Sequence, residues 1–143
     1  MGKLRTGING LKSYNIWRKM IDRCCNERHP TYKYSGARGI KIKYEWHNYY
    51  NFVADVGEPP DGMTLDRIDN NGNYTPENCR WATRKQQANN RRDNRRITFN
   101  GVTKTISEWA EQLGTKHQVV SSRLSRGWAE AEALTTPVQK RKR

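Results

Sequence analysis

The apolar residues near the start of the chain recur at spacings of one, three and four residues. This spacing is typical of an amphipathic helix and predicts one from Ser13 to Asn26. Its apolar stripe is made of Ile16, Trp17, Met20, Ile21 and Cys24. Farther on, alternating apolar and charged residues predict a short strand at Ile40–Tyr44, and a second helix is expected from Trp46 to Val56.

A pattern of strand, loop, strand and helix follows. Short strands are predicted at Met63–Ile68 and Cys79–Ala82, with a helix from Thr83 to about Asn90. The loop between the strands is rich in turn-forming residues, among them Asp69, Asn70, Asn71 and Gly72. The segment Arg91–Arg96 contains four Arg and no apolar residue, and is therefore predicted to be a basic linker.

From Ile97 onward the pattern indicates a separate module. A hairpin is predicted at Ile97–Ile106 with its turn at Asn100–Gly101, because Asn-Gly is favoured in two-residue turns. Two segments with the capping-box pattern, Thr105–Glu108 and Thr115–Gln118, predict the starts of two helices.

Two glycines, Gly114 and Gly127, predict the ends of these helices. A short third helix is expected at Trp128–Leu134. The helices are expected to share a small core made of Ile106, Trp109, Ala110, Leu113, Val120, Leu124, Trp128 and Leu134.

The charge of the chain indicates the kind of partner. Lys and Arg total 27 against 14 Asp and Glu, a net charge of +13, and such an excess is usually used to attract phosphate. The five Trp and seven Tyr argue against a disordered basic tail. The sequence shows no run of about 18 apolar residues and no secretory signal at its start. We therefore expect a soluble, cytoplasmic protein with no membrane contact.

The cysteines bear on the metal. Cys24 and Cys25 are adjacent and Cys79 stands alone, so no CxxC pair is available for a structural zinc site, and none is expected. A cluster of Cys24, Cys25 and His29 with a distant fourth ligand is the alternative. The expected role of the cysteines is packing on a helix face, so that any metal should bind through oxygen ligands.

Three segments share the spacing of a nuclease motif: Leu65–Asp69, Asn78–Thr83 and Gln87. Together they resemble the HNH (ββα-metal) nuclease family over Met63–Arg92. The resemblance implies a metal-dependent endonuclease that hydrolyses DNA phosphodiester bonds, site-specific in the manner of a homing or restriction enzyme. Its partner would be double-stranded DNA.

Two positions depart from the family. Arg67 stands where most members have the histidine that activates water, and Gln87 stands where the helix usually has Asn or His. The pattern Asp66-Arg67-x-Asp69, followed by Tyr74-Thr75-Pro76-x-Asn78-x-Arg80, is nevertheless similar to a variant of the class found in a rare-cutting restriction enzyme.

The resemblance to this variant implies a role for each matched residue. Asp66 and Gln87 would be ligands of one divalent cation, Mg²⁺, for which Mn²⁺ would substitute. Tyr74 would activate the attacking water, which predicts a cleavage rate that rises toward alkaline pH. Arg67 would clamp the scissile phosphate, and Asn78 would brace the loop by hydrogen bonds.

This assignment leaves two questions for the structure: how the Arg67 side chain reaches the phosphate, and which residue is the base. In an ideal strand Arg67 points to the face opposite Asp66, so a bulge or the twist of a short hairpin must bring it to the phosphate. If Tyr74 is not the base, His47 is the reserve candidate.

The segment Ile97–Pro137 resembles the helix-turn-helix modules appended to phage and intron-encoded HNH nucleases, including its closing Gly127-Trp128 and Ala133–Pro137. In such modules the second helix, here Lys116 to Arg126, lies in the major groove. The predicted DNA contacts in the hairpin and the linker are Arg80, Arg91, Arg92, Arg95 and Arg96. Those in the second helix are Lys116, His117, Gln118, Ser121, Ser122, Arg123 and Arg126.

The predicted fold class is therefore α+β. It comprises an HNH nuclease domain at 1–92, with its ββα-metal core at about 63–92, a β-hairpin plus helix-turn-helix domain at 93–137, and a basic tail at 138–143. Two other functions stay open: a catalytically inactive HNH-fold DNA-binding regulator and an RNA-binding accessory protein. The sequence leaves monomer and homodimer undecided.

Overall fold

The computed structural model describes residues 7–139, which form a small α+β protein with two two-stranded antiparallel sheets. The predicted α+β class is confirmed. The contacts within the chain divide it into two compact units, one ending at Ala88 and the other beginning at Asn89. Residues 140–143 of the predicted basic tail lie outside the described residues. Within the described part, every helix is too short or too polar to cross a bilayer.

The first unit is built around two helices, α1 at Lys12–Cys25 and α2 at Tyr49–Val56. The predicted apolar stripe of α1 is confirmed: Met20 is fully buried, and the other stripe residues pack against the same core. Short 3₁₀ turns at Tyr32–Tyr34 and Gly36–Arg38 follow α1. The buried core consists of Met20, Ile40, Ile42, Trp46, Tyr49, Phe52 and Tyr74.

The prediction of a strand at Ile40–Tyr44 is wrong. Only Ile42 forms a bridge, with Tyr74, and the bonds run from Lys43 N to Tyr74 O and from Tyr74 N to Lys41 O, both 2.9 Å. Pro76, two residues after Tyr74, has no N–H with which to extend the ladder. The apolar alternation therefore reflects burial of two isoleucines against the core, rather than a strand.

The second helix begins later than predicted. A 3₁₀ turn at Tyr44–His47 precedes it, and the Asn48 side chain accepts a bond from Tyr50 N as the N-cap of α2. The buried Trp46 thus belongs to the turn, where its Nε1 donates to Asp55 Oδ2 at 2.7 Å. An asparagine cap inside the apolar pattern separates the two elements.

The predicted order of strand, loop, strand and helix is confirmed. Strands β1 at Thr64–Arg67 and β2 at Cys79–Ala82 pair antiparallel, and helix α3 follows at Arg84–Asn90. We call β1, the loop of residues 68–78 and β2 the first hairpin. It rests on the core of the first unit through Leu65 and Cys79.

The second unit opens with a tight hairpin, which we call the second hairpin. Strands β3 at Arg96–Phe99 and β4 at Val102–Thr105 are joined at Asn100–Gly101, as predicted. Both turn residues have positive φ, 50° and 75°, the backbone that a two-residue turn of this type requires. Arg96, predicted to end the linker, is the first residue of β3.

Three helices complete the second unit: α4 at Ile106–Gln112, α5 at His117–Ser125 and α6 at Glu130–Thr135. Their buried core, shared with β3, consists of Ile97, Trp109, Ala110, Val120 and Leu134. Two residues expected in this core lie outside it, because Leu113 is 45% exposed and Trp128 is 37% exposed. Trp128 lies under the guanidinium of Arg123, 5.0 Å from the ring centre.

One of the two predicted capping boxes forms. Thr105 and Glu108 make both reciprocal bonds at the start of α4. The box at Thr115 is wrong, since α5 begins at His117 with no side-chain cap. The Thr115 N–H instead donates to Ala110 O at 2.9 Å, closing the end of α4 around Gly114. The backbone needed for that closure leaves Thr115 outside the next helix.

Candidate active site

The first hairpin pairs the candidate metal ligand Asp66 with Arg80 across the sheet. Arg80 Nε lies 3.1 Å from Asp66 Oδ2, and the carboxylate side chain is only 11% exposed against 39% for Arg80. A largely buried carboxylate requires a compensating cation, and Arg80 supplies it. Arg80, predicted as a DNA contact, is thus the ion-pair partner of Asp66.

Arg67 is held by the loop of the first hairpin. The strands pair one for one as far as Arg67 and Cys79, so β1 and β2 contain no bulge, and of the two expected possibilities the twist of the short hairpin remains. Arg67 Nη1 donates to Gly72 O at 2.8 Å, and its guanidinium carbon lies 4.9 Å from the centre of the Tyr74 ring. The guanidinium is therefore directed at the loop that carries Tyr74.

Asn78 has the bracing role that the resemblance implies. Its amide nitrogen donates to Asp69 O at 3.1 Å and to Asn73 O at 2.9 Å, while its Oδ1 accepts from Asp69 N at 2.8 Å. A Cβ added at Gly72 would lie 2.7 Å from the Asn78 amide nitrogen, so the side chain also fills the space under the turn. One side chain thereby fixes the loop backbone on both sides of its turn.

Tyr74 is the most deeply buried residue of the candidate site, at 3% exposed. Its hydroxyl accepts a hydrogen bond from Arg23 Nη1 of α1 at 3.3 Å. The phenol is therefore contacted by two guanidinium groups, with Arg23 at the hydroxyl and Arg67 at the ring face. Tyr74 also lines a cavity.

This cavity, which we call the α1 cavity, has a volume of about 390 Å³. It is lined by Ile16, Lys19, Met20, Arg23, Thr64, Leu65, Tyr74 and Gln87. Gln87 reaches it from α3, where its Nε2 donates to Leu65 O at 3.3 Å. The structure thus brings Tyr74 and Gln87 to one cavity, while Asp66, the next residue along β1, is not part of its wall.

The donor chemistry of Asp66 and Gln87 fits a hard divalent cation. A carboxylate oxygen and an amide oxygen are ligands that Mg²⁺ accepts, and Mg²⁺ usually takes few protein ligands and completes its shell with water and phosphate. Within residues 7–139 no group of three or more His, Cys, Asp or Glu side chains gathers to form a stronger site. Any cation at this position would have to share the Asp66 carboxylate with Arg80.

Two of the three cysteines have the packing role that was expected of them, whereas Cys25 at the end of α1 is exposed. Cys24 and Cys79 both pack against the core of the first unit, and burial raises the pKa of each thiol to about 11. The thiols therefore stay protonated near neutral pH. His47, the reserve base, is exposed and lies beside Tyr44, with ring centres 6.2 Å apart, and does not line the α1 cavity.

Two arginines of the predicted basic linker form ion pairs within the second unit. Arg91 makes two bonds to Asp93, at 3.0 and 2.7 Å, and lowers the pKa of that carboxyl. Arg95 lies 3.1 Å from Glu130. These pairs are exposed, and such pairs are weak enough for phosphate to replace them. Arg92 and Arg96 are exposed.

The predicted contact residues on α5 divide into two groups. Arg123 has a structural role, because its guanidinium donates to Ala133 O at 3.0 Å, to Thr136 O at 2.6 Å and to Pro137 O at 3.2 Å. Ser121 is half-buried. The predicted contacts that are exposed at this helix and its two ends are Lys116, His117, Gln118, Ser122 and Arg126.

Sequence reasoning missed Arg23 and Lys19, the two cations of the α1 cavity. They stand four residues apart beside the apolar stripe of α1, which places them on one edge of the helix. That spacing was visible in the sequence. What the edge faces was not, because Tyr74 comes to it from the distant loop of the first hairpin.

Comparison of the chain with known protein families, with curated proteins and with solved structures finds no match. Any function must therefore be inferred from the residues of the first hairpin and α3, from the surface of the second unit, and from the motif resemblance.

Proposed function

We propose that the protein is a divalent-metal-dependent DNA endonuclease of the HNH type, which hydrolyses phosphodiester bonds. The observation that supports it best is the bond from Gln87 Nε2 to Leu65 O, 3.3 Å long. This contact joins the amide of α3 to the strand residue directly before Asp66. The second metal ligand of the proposal thus lies against the strand that carries the first.

In this proposal Asp66 and Gln87 would hold the cation, which would supply positive charge to stabilise the charge developing on the phosphate. Arg67 adds a second cation toward the phosphate from the loop side. Tyr74 would act as its phenolate, which takes the proton of the attacking water and becomes the neutral phenol, and Arg23 holds the same oxygen in position. Asn78 keeps the loop, and hence Tyr74 and Arg67, in register with β1.

The second unit supplies DNA affinity. Helices α4 and α5 are joined by a tight turn at Gly114, in the order of a helix-turn-helix motif. The start of α5 presents Lys116, His117 and Gln118 to solvent, which suits base and phosphate contacts. Arg123 is left out of this surface, since its guanidinium is bonded to carbonyls in the last turn of α6 and directly after it.

A second function is favoured by a specific observation. Asp66 is ion-paired with Arg80 and only 11% exposed, and Tyr74 is buried. A hairpin closed in this way would suit an HNH-fold regulator that binds DNA without cutting it.

A plasmid assay separates the two functions. Supercoiled plasmid is incubated with the protein in Mg²⁺ or Mn²⁺, then with EDTA, and then with the Asp66→Ala variant. We expect nicking that needs the metal and falls on the order of 10³-fold in the variant. Asp61→Ala, which removes an exposed carboxylate from a neighbouring turn, is the matched control and should cut normally. DNA binding with no metal-dependent nicking would instead support the regulator.

A further inference from the structure

The α1 cavity has a cationic wall with no acid to balance it. Ile16, Lys19, Met20 and Arg23 follow one another at i, i+3, i+4 and i+7, so they form one face of α1 along the cavity. Within residues 7–139 neither Lys19 nor Arg23 lies within ion-pair distance of a carboxylate, and no Asp or Glu lines the cavity. The local charge therefore favours an anion.

Arg23 is incompletely satisfied by its surroundings. Its one hydrogen bond among the described residues is the 3.3 Å bond to the Tyr74 hydroxyl. Its Nε is buried and has no acceptor. A buried donor without a partner is costly, and a guanidinium has five N–H groups to satisfy. An anion drawn to this wall would supply the acceptors that the protein does not.

The remaining lining suits a phosphate group attached to a sugar. Thr64, Tyr74 and Gln87 bring neutral hydroxyl and amide groups, which bond to phosphate oxygens in many proteins. Ile16, Met20 and Leu65 add an apolar side. The volume of about 390 Å³ exceeds what a phosphate alone needs and leaves room for the attached sugar.

We infer that the α1 cavity is a phosphate-binding site whose cations are Lys19 and Arg23. The phosphate is that of the DNA backbone, next to the bond that is cut, and its source rests on the proposed function. The binding chemistry itself does not, because a free phosphate would satisfy the same groups.

The test uses the full chain in EDTA, so that no metal contributes. Inorganic phosphate, or a short double-stranded oligonucleotide of arbitrary sequence, is titrated while the Arg23 Nε–H and Gln87 side-chain amide signals are followed by NMR. We expect saturable shifts of both signals with either probe, and competition between the probes. Shifts with inorganic phosphate alone would keep the site and overturn its DNA source. No shift with either probe would overturn the site.

Two variants distinguish binding of phosphate in the α1 cavity from general electrostatic attraction of phosphate to a basic protein. Lys19→Ala should weaken binding of inorganic phosphate roughly tenfold, the loss expected for one charge-assisted hydrogen bond. For the oligonucleotide it should make the log–log salt slope shallower by about 0.9. Arg18→Ala removes an exposed cation from the same helix, outside the cavity, and should leave inorganic phosphate binding unchanged. Equal losses in both variants would overturn the inference.

A last arm keeps this inference apart from the nuclease proposal. Asp66→Ala should abolish plasmid cleavage and leave the phosphate-induced shifts intact, because Asp66 is not in the cavity wall. Cleavage without phosphate-induced shifts would refute the cavity site alone. Shifts without cleavage by the unmodified protein would refute the nuclease alone.

Discussion

The two hairpins of this protein are built from strands of the same length but closed by different means. The second hairpin turns through Asn100–Gly101 by backbone conformation alone, and the Thr98 and Thr103 hydroxyls lie 2.7 Å apart across it. The first hairpin needs the whole of residues 68–78, which are held by the side chains of Asn78 and Arg67. A loop held by side chains can present other side chains. In the proposed function the first hairpin would therefore carry the chemistry, and the second would serve folding.

Among substitutions in the two hairpins, Tyr74→Phe in the first hairpin should have the largest effect on the cleavage rate. The ring stays in the core, so stability should change little, while the proton acceptor is lost and cleavage should fall on the order of 10²–10⁴-fold. Plasmid nicking, together with thermal unfolding, measures both effects.

Controls for this change come from both hairpins' surroundings. Val102→Ala alters a 46% exposed residue of the second hairpin, and Tyr50→Phe removes a 63% exposed phenol beside the first unit's core. Both should cut at the unmodified rate. Full activity in Tyr74→Phe would contradict the role of Tyr74 and turn attention to His47.

A smaller difference is expected between Asn78→Ala and Gly101→Ala, in the free energy of unfolding that each variant loses. Asn78 loses three hydrogen bonds, and at a net of about 1 kcal/mol each the free energy of unfolding should fall by about 3 kcal/mol. Gly101 has φ 75°, and a side chain there should cost about 1 kcal/mol. Denaturant unfolding measures both.

Activity under native conditions then sharpens the comparison. Asn78→Ala should also cut slowly, since its loop carries Arg67 and Tyr74, whereas Gly101→Ala should cut normally once folded. Slow cleavage by both variants, or by neither, would contradict the division of roles between the hairpins.

The smallest effect concerns the stability of the fold at alkaline pH, which limits the pH range over which the first hairpin can be assayed. Burial raises the pKa of the Cys79 thiol from 9.0 to about 11, so the folded state keeps a proton that the unfolded state loses. The stabilisation is complete below pH 9 and is lost as pH rises toward 11. Unfolding followed between pH 8 and 11 should show this fall, and Cys79→Ala should reduce it. A fall of the same size in that variant would assign it to other groups.

Local chemistry made much of the fold predictable. The Asn100–Gly101 turn, the capping box at Thr105 and the apolar stripe of α1 each depend on neighbours within a few residues. The absence of a strand at Ile40–Tyr44 was not predictable, because within residues 7–139 this segment bridges to the distant Tyr74 alone. The predicted capping box at Thr115 does not form, because the Thr115 N–H donates to a carbonyl at the end of α4.

The candidate site was predictable in its residues but not in its contacts. The motif pointed to Asp66, Tyr74, Asn78 and Gln87 together. The ion pair of Asp66 with Arg80 needed the strand register, which no local signal sets. The contact of Arg23 with Tyr74 needed the packing of α1 against a loop far along the chain.

The central claim, that Asp66 and Gln87 hold one divalent cation, can be tested without any cleavage. Mn²⁺ is added to the full chain with a short duplex, and paramagnetic broadening of side-chain amide signals is recorded. The account predicts that the Gln87 signal broadens before that of Asn15, an exposed amide of α1 outside the α1 cavity, and that Asp66→Ala removes the difference. A Gln87 signal that stays sharp, or broadens equally in the variant, would contradict it.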